Sequence, residues 1–393
     1  MSEGWANDNA QIVGSIPNPM IIKQFFECGD WRRAAHRSLS PSPNLGCLLN
    51  RVILSLRETY FIKGEKKMKK RLIHSMACLF LLTSILLPAQ QKPEQKPWLL
   101  SQDDIKSMVS KVRAGKDLTP PTWPEGAKVA VALSFDFDAE TNALRDSDYS
   151  PGILSQGEYA ARVALPRILA LLDKYRIPAS FFVPAVSALL HPDEIKAIVA
   201  KGRHEVGMHG WIHERNSLLS EEEERDLMRK SFAALKEMTG KAPVGIRTPS
   251  WDFSPSTLKI IRELGLLYDS SLMADDRPYE LLEAGKPTGV VELPVEWLLD
   301  DYPYFGFERY AAIRPHIAPM DVMSIWAAEF DKAFEEGTLF VLTMHPKYTG
   351  HRSRIVMLEK LIEYMLSRKS VWFATHEDIA RYVKKEMMKL SAP

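Results

Sequence analysis

The chain has 393 residues, 46% hydrophobic and 26% charged, with 51 basic and 50 acidic side chains. Those proportions exclude wholesale disorder, collagen and a polytopic membrane protein, and the length allows two domains or one large α/β barrel with extras. A net charge of +1 offers no basic surplus for a nucleic-acid partner.

The average conceals two unlike parts. Residues 1–89 carry 12 Lys/Arg and 6 Asp/Glu, whereas residues 90–393 carry 39 and 44, a net charge of −5. Cys28, Cys47 and Cys78 all fall in the first part, so the remainder has no thiol or disulfide chemistry to interpret. At Met68 a basic head, Met-Lys-Lys-Arg, precedes an apolar run of 12 residues, Met76–Leu87, and then Leu-Pro-Ala. Residues 68–89 therefore have the layout of a secretory signal peptide, and the run is short of the roughly 20 residues that a spanning helix needs. The expectation is export to a periplasmic or extracellular location, with no permanent membrane span in the mature form. Residues 1–67 lack sustained periodicity and are read as a mis-called extension ahead of a true start at Met68; a genuine long leader or small domain is the alternative.

Residues 90–125 read as a linker, in which Ser101 and Asp104 form a capping box opening a short helix to about Arg113. Residues 126–393 are then read as one main domain. Apolar runs at 129–135, 179–183, 205–208, 244–246, 290–293, 339–343 and 371–374 predict strands. Amphipathic segments at 158–175, 192–201, 221–239, 255–264, 321–336, 353–368 and 376–387 predict helices. Regular alternation of this kind predicts an α/β fold: a distorted (β/α) barrel of about seven parallel strands. The acidic run Glu221–Glu224, placed just after Ser220, reads as a capped helix start rather than a metal site.

In a parallel barrel, functional side chains gather at the carboxyl ends of the strands. Asp136, Asp138 and Glu140 follow the first strand. Alternation points Asp136 and Asp138 to one side, where two carboxylates call for a cation or a shared proton; capping of the next segment is the competing reading. His209 and His213 are four apart, a spacing that reaches one metal if the segment is helical or tightly turned, although such a pair can be incidental. With Asp138 they make three ligands and leave a position open for water, and the donor set suits zinc or a related first-row ion. Arg247 can orient a carboxylate and keep it ionised. His345 closes the most apolar strand, where a satisfied core histidine is the bland reading. Trp211, Trp251 and Trp297 are candidate sugar-stacking faces, with at least two of them expected to be barrel packing. An apolar stretch at 302–307 reads as a lid, a subunit contact or a buried loop. A homo-oligomer is left open.

Ser134 to Glu140, Gly202-Arg-His-Glu-Val-Gly-Met-His209-Gly-Trp-Ile-His213, Arg247-Thr-Pro249 and Met344-His345-Pro346 together resemble, in order, the motifs of the polysaccharide deacetylases, the NodB-homology fold of carbohydrate esterase family four. The resemblance covers about residues 125–385. Asp-x-Asp-Ala-Glu in place of adjacent Asp-Asp-Gly, with Tyr268-Asp-Ser-Ser-Leu-Met and Asp276-Arg-Pro-Tyr279, is similar to a subgroup of peptidoglycan deacetylase-like proteins, allantoinases and cyclic-imide hydrolases. The resemblance implies one divalent metal, Zn2+ first, held by Asp138, His209 and His213. It also implies Asp136 as general base, Arg247 orienting it, and His345 as general acid. Glu140, Pro249, Trp251, Asp276 and Arg354 are the candidates for substrate contact. One departure is visible: the subgroup reads Gly-Arg-Pro-x-Arg after His345-Pro, whereas here Gly350-His351-Arg352-Ser-Arg354 stands, so the arginine's role passes to His351, Arg352 or Arg354. The implied activity is N-deacetylation of an acetylated glycan, peptidoglycan first. The alternatives are opening of a small cyclic amide or ureide, and a non-catalytic glycan-binding barrel.

Overall fold

The computed structural model describes residues 96–306 and 317–390; the proposed extension, the signal peptide, the three cysteines and Phe307 lie outside them. Ten strands form one sheet: β1 Val112–Asp117, β2 Val129–Asp136, β3 Ser180–Val183, β4 Glu205–Met208, β5 Gly245–Ile246, β6 Tyr268–Asp269, β7 Tyr279–Glu283, β8 Lys286–Glu292, β9 Leu339–Met344 and β10 Val371–Phe373. All seven expected strands are among them. The order runs β1-β7-β8-β6-β5-β4-β3-β2, with β9 and β10 also paired to β2. Ala130 and Val131 pair with both β9 and β10, and Ser134 and Phe135 with both β3 and β9. β3 and β10 therefore share one edge of β2, and β9 has the other. Among the described residues β8 and β9 are not paired; past β8 an isolated bridge joins Asp300 to Thr343, so the curled and largely parallel sheet is a half-closed barrel.

The antiparallel part was not expected. β7 and β8 form a hairpin whose turn residues Ala284 and Gly285 both have positive φ, 48° and 77°, as a tight two-residue hairpin requires. β1 pairs antiparallel with β7, so residues expected to be a linker contribute a strand. Ser101 caps its helix by accepting the Asp104 N–H, but Asp104 meets the Ser101 hydroxyl rather than its N–H, so the expected capping box is only half made, and the helix runs only Gln102–Val109. The helix expected at 158–175 starts earlier, at Pro151, and continues through a π turn at Ala160–Ala164 into Leu165–Tyr175. Pro166 lacks an N–H, and the widened turn ahead of it accommodates the lost bond. Ser220 and Glu223 cap the helix Glu221–Thr239 reciprocally, as the acidic run predicted.

β2 is buried on both faces, and its alternation decides what enters the barrel. Val129, Val131, Leu133 and Phe135 belong to the core shared with the outer helices, where each large side chain contributes about 1.5–3 kcal/mol. Ala130 and Ala132 belong to a second cluster with Phe182, Tyr268 and Val341, closed by Trp123 and Ile379. Ser134 and Asp136 continue this second register, and the small residues beneath leave room for polar groups. Gly245 serves the same end: a Cβ there would stand 2.0 Å from the Tyr268 ring.

Candidate active site

At the carboxyl ends of these strands lies a cavity of about 900 Å³, lined by Asp136, Asp138, His209, His213, Trp251 and His345 among others. Arg247 sits beneath it, completely buried. Its Nη1 donates to Asp136 Oδ1 at 2.8 Å and to Ser134 Oγ at 2.9 Å, while Nε donates to the Ser270 carbonyl at 3.0 Å. Nη2 reaches Ser270 Oγ and His376 Nε2. Five contacts fix the guanidinium and hold one Asp136 oxygen, leaving Oδ2 facing His209 Nε2 at 3.6 Å and His345 Nε2 at 4.0 Å.

Asp138 and the two histidines converge as their spacing predicted, but on a tight loop rather than a helix. The Glu214 carboxylate accepts the Trp211 and Ile212 N–H groups, and His213 takes a left-handed φ of 63°. His209 Nδ1 donates to the Arg247 carbonyl at 2.7 Å, which leaves Nε2 with a bare lone pair. That Nε2 lies 3.5 Å from Asp138 Oδ1, and His213 Nε2 lies 3.7 Å from the same oxygen. Both Asp138 Oδ1 and His209 Nε2 are buried without a hydrogen-bond partner. Unpartnered buried acceptors facing one another are costly unless a cation sits between them, so the donor set fits a metal. Burial raises the Asp138 carboxyl, but the charges of neighbouring His345 and Lys347 help to hold it well below the usual range, while burial pulls His213 down to about 3, so its ring is neutral. A neutral His213 ring beside an ionised Asp138 is the protonation state that metal binding needs. Arg145 Nη1 donates to His213 Nδ1 at 2.8 Å and to the His213 carbonyl at 3.3 Å, so coordination through Nε2 requires Arg145 to keep only the carbonyl contact.

A second metal-like group, Asp300, Asp301 and His345, stands beside the first. Its lone pairs are already engaged. His345 Nδ1 donates to Asp301 Oδ1 at 2.7 Å, and Asp301 Oδ2 accepts the His345 and Thr349 N–H groups. Against the effect of burial, Asp300 and Asp301 raise His345 to about 10, so its Nε2 carries a proton over the cavity. Burial, with Asp301 beside it, pushes Asp300 up to about 7.

Not every candidate reaches the cavity. Trp251 and Trp297 line it with rings 4.1 Å apart, whereas Trp211 lies under Lys230. Glu140 is turned away onto His191 Nε2 at 2.7 Å, Pro249 is buried against Gly210, and Asp276 is exposed beside a separate hollow near Lys332. Arg354 and His351 line an adjoining recess, and Arg352 is exposed. Tyr302 lines the main cavity, while Tyr304 and Phe305 line that recess, so the aromatic stretch borders the site. Asp300, Asp301, Arg145 and Lys347 escaped the sequence reading. Lys347, two residues past His345, had a usable signal; Arg145 had none.

The model of the family described as polysaccharide deacetylase matches residues 128–268. The peptidoglycan deacetylase of Helicobacter pylori is 33% identical over 280 residues, which cover 64% of this chain and 95% of that one. The chain belongs to the polysaccharide deacetylase family. A crystal structure from Mycobacterium smegmatis assigned to the same family is 35% identical, with a TM-score of 0.65 over 70% of this chain and 96% of that one. The Puue allantoinase structure is 28% identical, with a TM-score of 0.58 over 68% and 97%. As a polysaccharide deacetylase this protein is a hydrolase of N-acetyl groups, acting on carbon–nitrogen bonds other than peptide bonds. Among the described residues no helix is long and apolar enough to cross a membrane.

Proposed function

We propose that the protein removes N-acetyl groups from an exported glycan, peptidoglycan first, with one divalent cation held by Asp138, His209 and His213. The observation that carries this reading is the pair of unpartnered atoms, Asp138 Oδ1 and His209 Nε2, beside an Asp136 that Arg247 holds in place. Zinc suits two neutral imidazoles and a carboxylate, and when bound it would polarise an acetamide carbonyl and acidify a water.

The protein's own groups complete the chemistry. Asp136 Oδ2, free of the Arg247 contact, takes the proton of the attacking water. Arg247 holds that carboxylate in place through its other oxygen, Oδ1. His345 Nε2, protonated and backed by Asp301, delivers a proton to the departing amine nitrogen as the C–N bond breaks. The products are acetate and a free amino sugar. Trp251 and Trp297 offer ring faces to the sugar. Export rests on reading segment 68–89 as a signal peptide behind a start at Met68, and N-terminal sequencing of the native protein tests it; a mature terminus before residue 68 overturns that reading.

The similarity to Puue allantoinase favours a second reading, the opening of a small cyclic amide. Zinc-loaded protein is incubated with N-acetylglucosamine oligomers, peptidoglycan and cyclic imides. Acetate matched by new primary amines supports deacetylation. Ring opening of the imides with no acetate from either glycan sinks it.

A further inference from the structure

Beside the main cavity lies a recess of about 520 Å³, continuous with it through Gln156, Lys347 and Tyr348, which line both. The two hollows differ in chemistry. Asp136, Asp138, Asp146, Asp148 and Asp300 border the first. Among the described residues no Asp or Glu lines the second, whose lysine and arginine are Lys347 and Arg354. Arg354 makes no hydrogen bond or ion pair with a described residue: its Nε is buried without an acceptor, and its guanidinium lies 5.2 Å from the centre of the Phe305 ring. A planar donor fork whose Nε has no acceptor among the described residues matches a carboxylate, which can accept two parallel N–H bonds. Around it stand flat faces, Tyr348 and the stacked pair Tyr159 and His351 with ring centres 4.2 Å apart, suited to the apolar face of a sugar ring.

We infer that the recess binds a carboxylate-bearing sugar residue joined to the N-acetylated residue at the Asp136–Asp138 centre, and that Arg354 pairs with its carboxylate. This rests on the deacetylase reading and adds substrate class to it. Arg354 thereby sets a preference for acidic over neutral acetylated glycans. The carboxylate can be a lactyl ether or a uronic acid, since the guanidinium recognises the same group in both.

The test compares kcat/KM of the zinc-loaded protein on three oligomers of equal length. These are neutral N-acetylglucosamine oligomers, alternating N-acetylglucosamine–N-acetylmuramic acid, and alternating N-acetylglucosamine–glucuronic acid. At least one acidic substrate is expected to exceed the neutral one about tenfold or more. Arg354→Gln collapses that ratio, chiefly through KM on the acidic substrate, and Arg354→Lys, which keeps charge but not the fork, restores part of it. Whichever acidic oligomer shows the effect identifies the source of the carboxylate. Equal rates on all three, or a ratio unchanged in Arg354→Gln, overturns the inference while leaving deacetylation standing. Acetate from none of the three overturns the deacetylase reading and this one with it.

Discussion

Asp138 Oδ1 and His209 Nε2 face each other across 3.5 Å of protein interior, and neither has a hydrogen-bond partner. The separation exceeds that of a good N–H···O bond, and Nδ1 of the same ring already carries a proton toward the Arg247 carbonyl. A shared proton is thus a poor explanation and a cation a good one. Purified protein is expected to hold about one equivalent of zinc, which chelation removes with a fall in Tm. Zinc at a hundred times its Kd adds about 2.7 kcal/mol of stability. His209→Ala removes both the metal and the Tm response; mass spectrometry of metal content with thermal melts checks it.

Asp136 is placed to move a proton rather than to hold metal. Asp136→Asn is expected to keep zinc and lose about 10²–10⁴-fold in kcat, the usual contribution of a positioned base. Steady-state kinetics alongside metal analysis separates the two roles; full activity in the variant would remove the assigned base.

Arg247→Met leaves the Asp136 carboxylate buried without its cation. Breaking one side of a buried ion pair costs about 3–5 kcal/mol, so the melting temperature falls well beyond that of a surface arginine change. Thermal melts of the two variants side by side check it; equal losses would show that the Asp136–Arg247 pair carries no special stability.

His345 owes its high proton affinity to Asp300 and Asp301, working against its burial. A group raised from 6.5 to about 10 contributes stability below pH 6.5 that is lost as pH rises through 10, and it serves as an acid over the same range. Bound cation pulls in the opposite direction, so the alkaline limb of the loaded enzyme lies below 10. Asp301→Asn lowers that limb further, by about one pH unit or more, in the pH profile of kcat.

His204 sits away from the cavity, accepting the Ala179 N–H at 3.2 Å, and burial holds it down to about 4. Its ring stays neutral in the fold but takes a proton in the unfolded chain below 6.5. Stability is therefore full above pH 6.5 and falls between 6.5 and 4, where the unfolded state binds the extra proton. In His204→Gln the slope of unfolding free energy against pH in that window lessens by one proton, measured by denaturant titrations.

Much of this was legible in the chain. The barrel strands announced themselves through apolar runs such as Val129–Phe135, and Asp136, Asp138, His209, His213, Arg247 and His345 stood where strands end. β1 was hidden because Val-Arg-Ala-Gly-Lys-Asp is a polar edge strand that gains its partner only in the fold. β6, two residues long, is held by neighbours rather than by its own pattern. Asp301 escaped because its role depends on β9 arriving alongside it from later in the chain, and the place of Asp276 beside a separate hollow was hidden because sequence order carries no information about the face on which a loop lands.

Everything in the chemistry depends on where the cation sits. Anomalous diffraction at the zinc edge from crystals of the zinc-loaded protein decides between the two clusters. The account predicts one zinc bound by Asp138 Oδ1 and the Nε2 atoms of His209 and His213; zinc held instead by Asp300, Asp301 and His345 would contradict it.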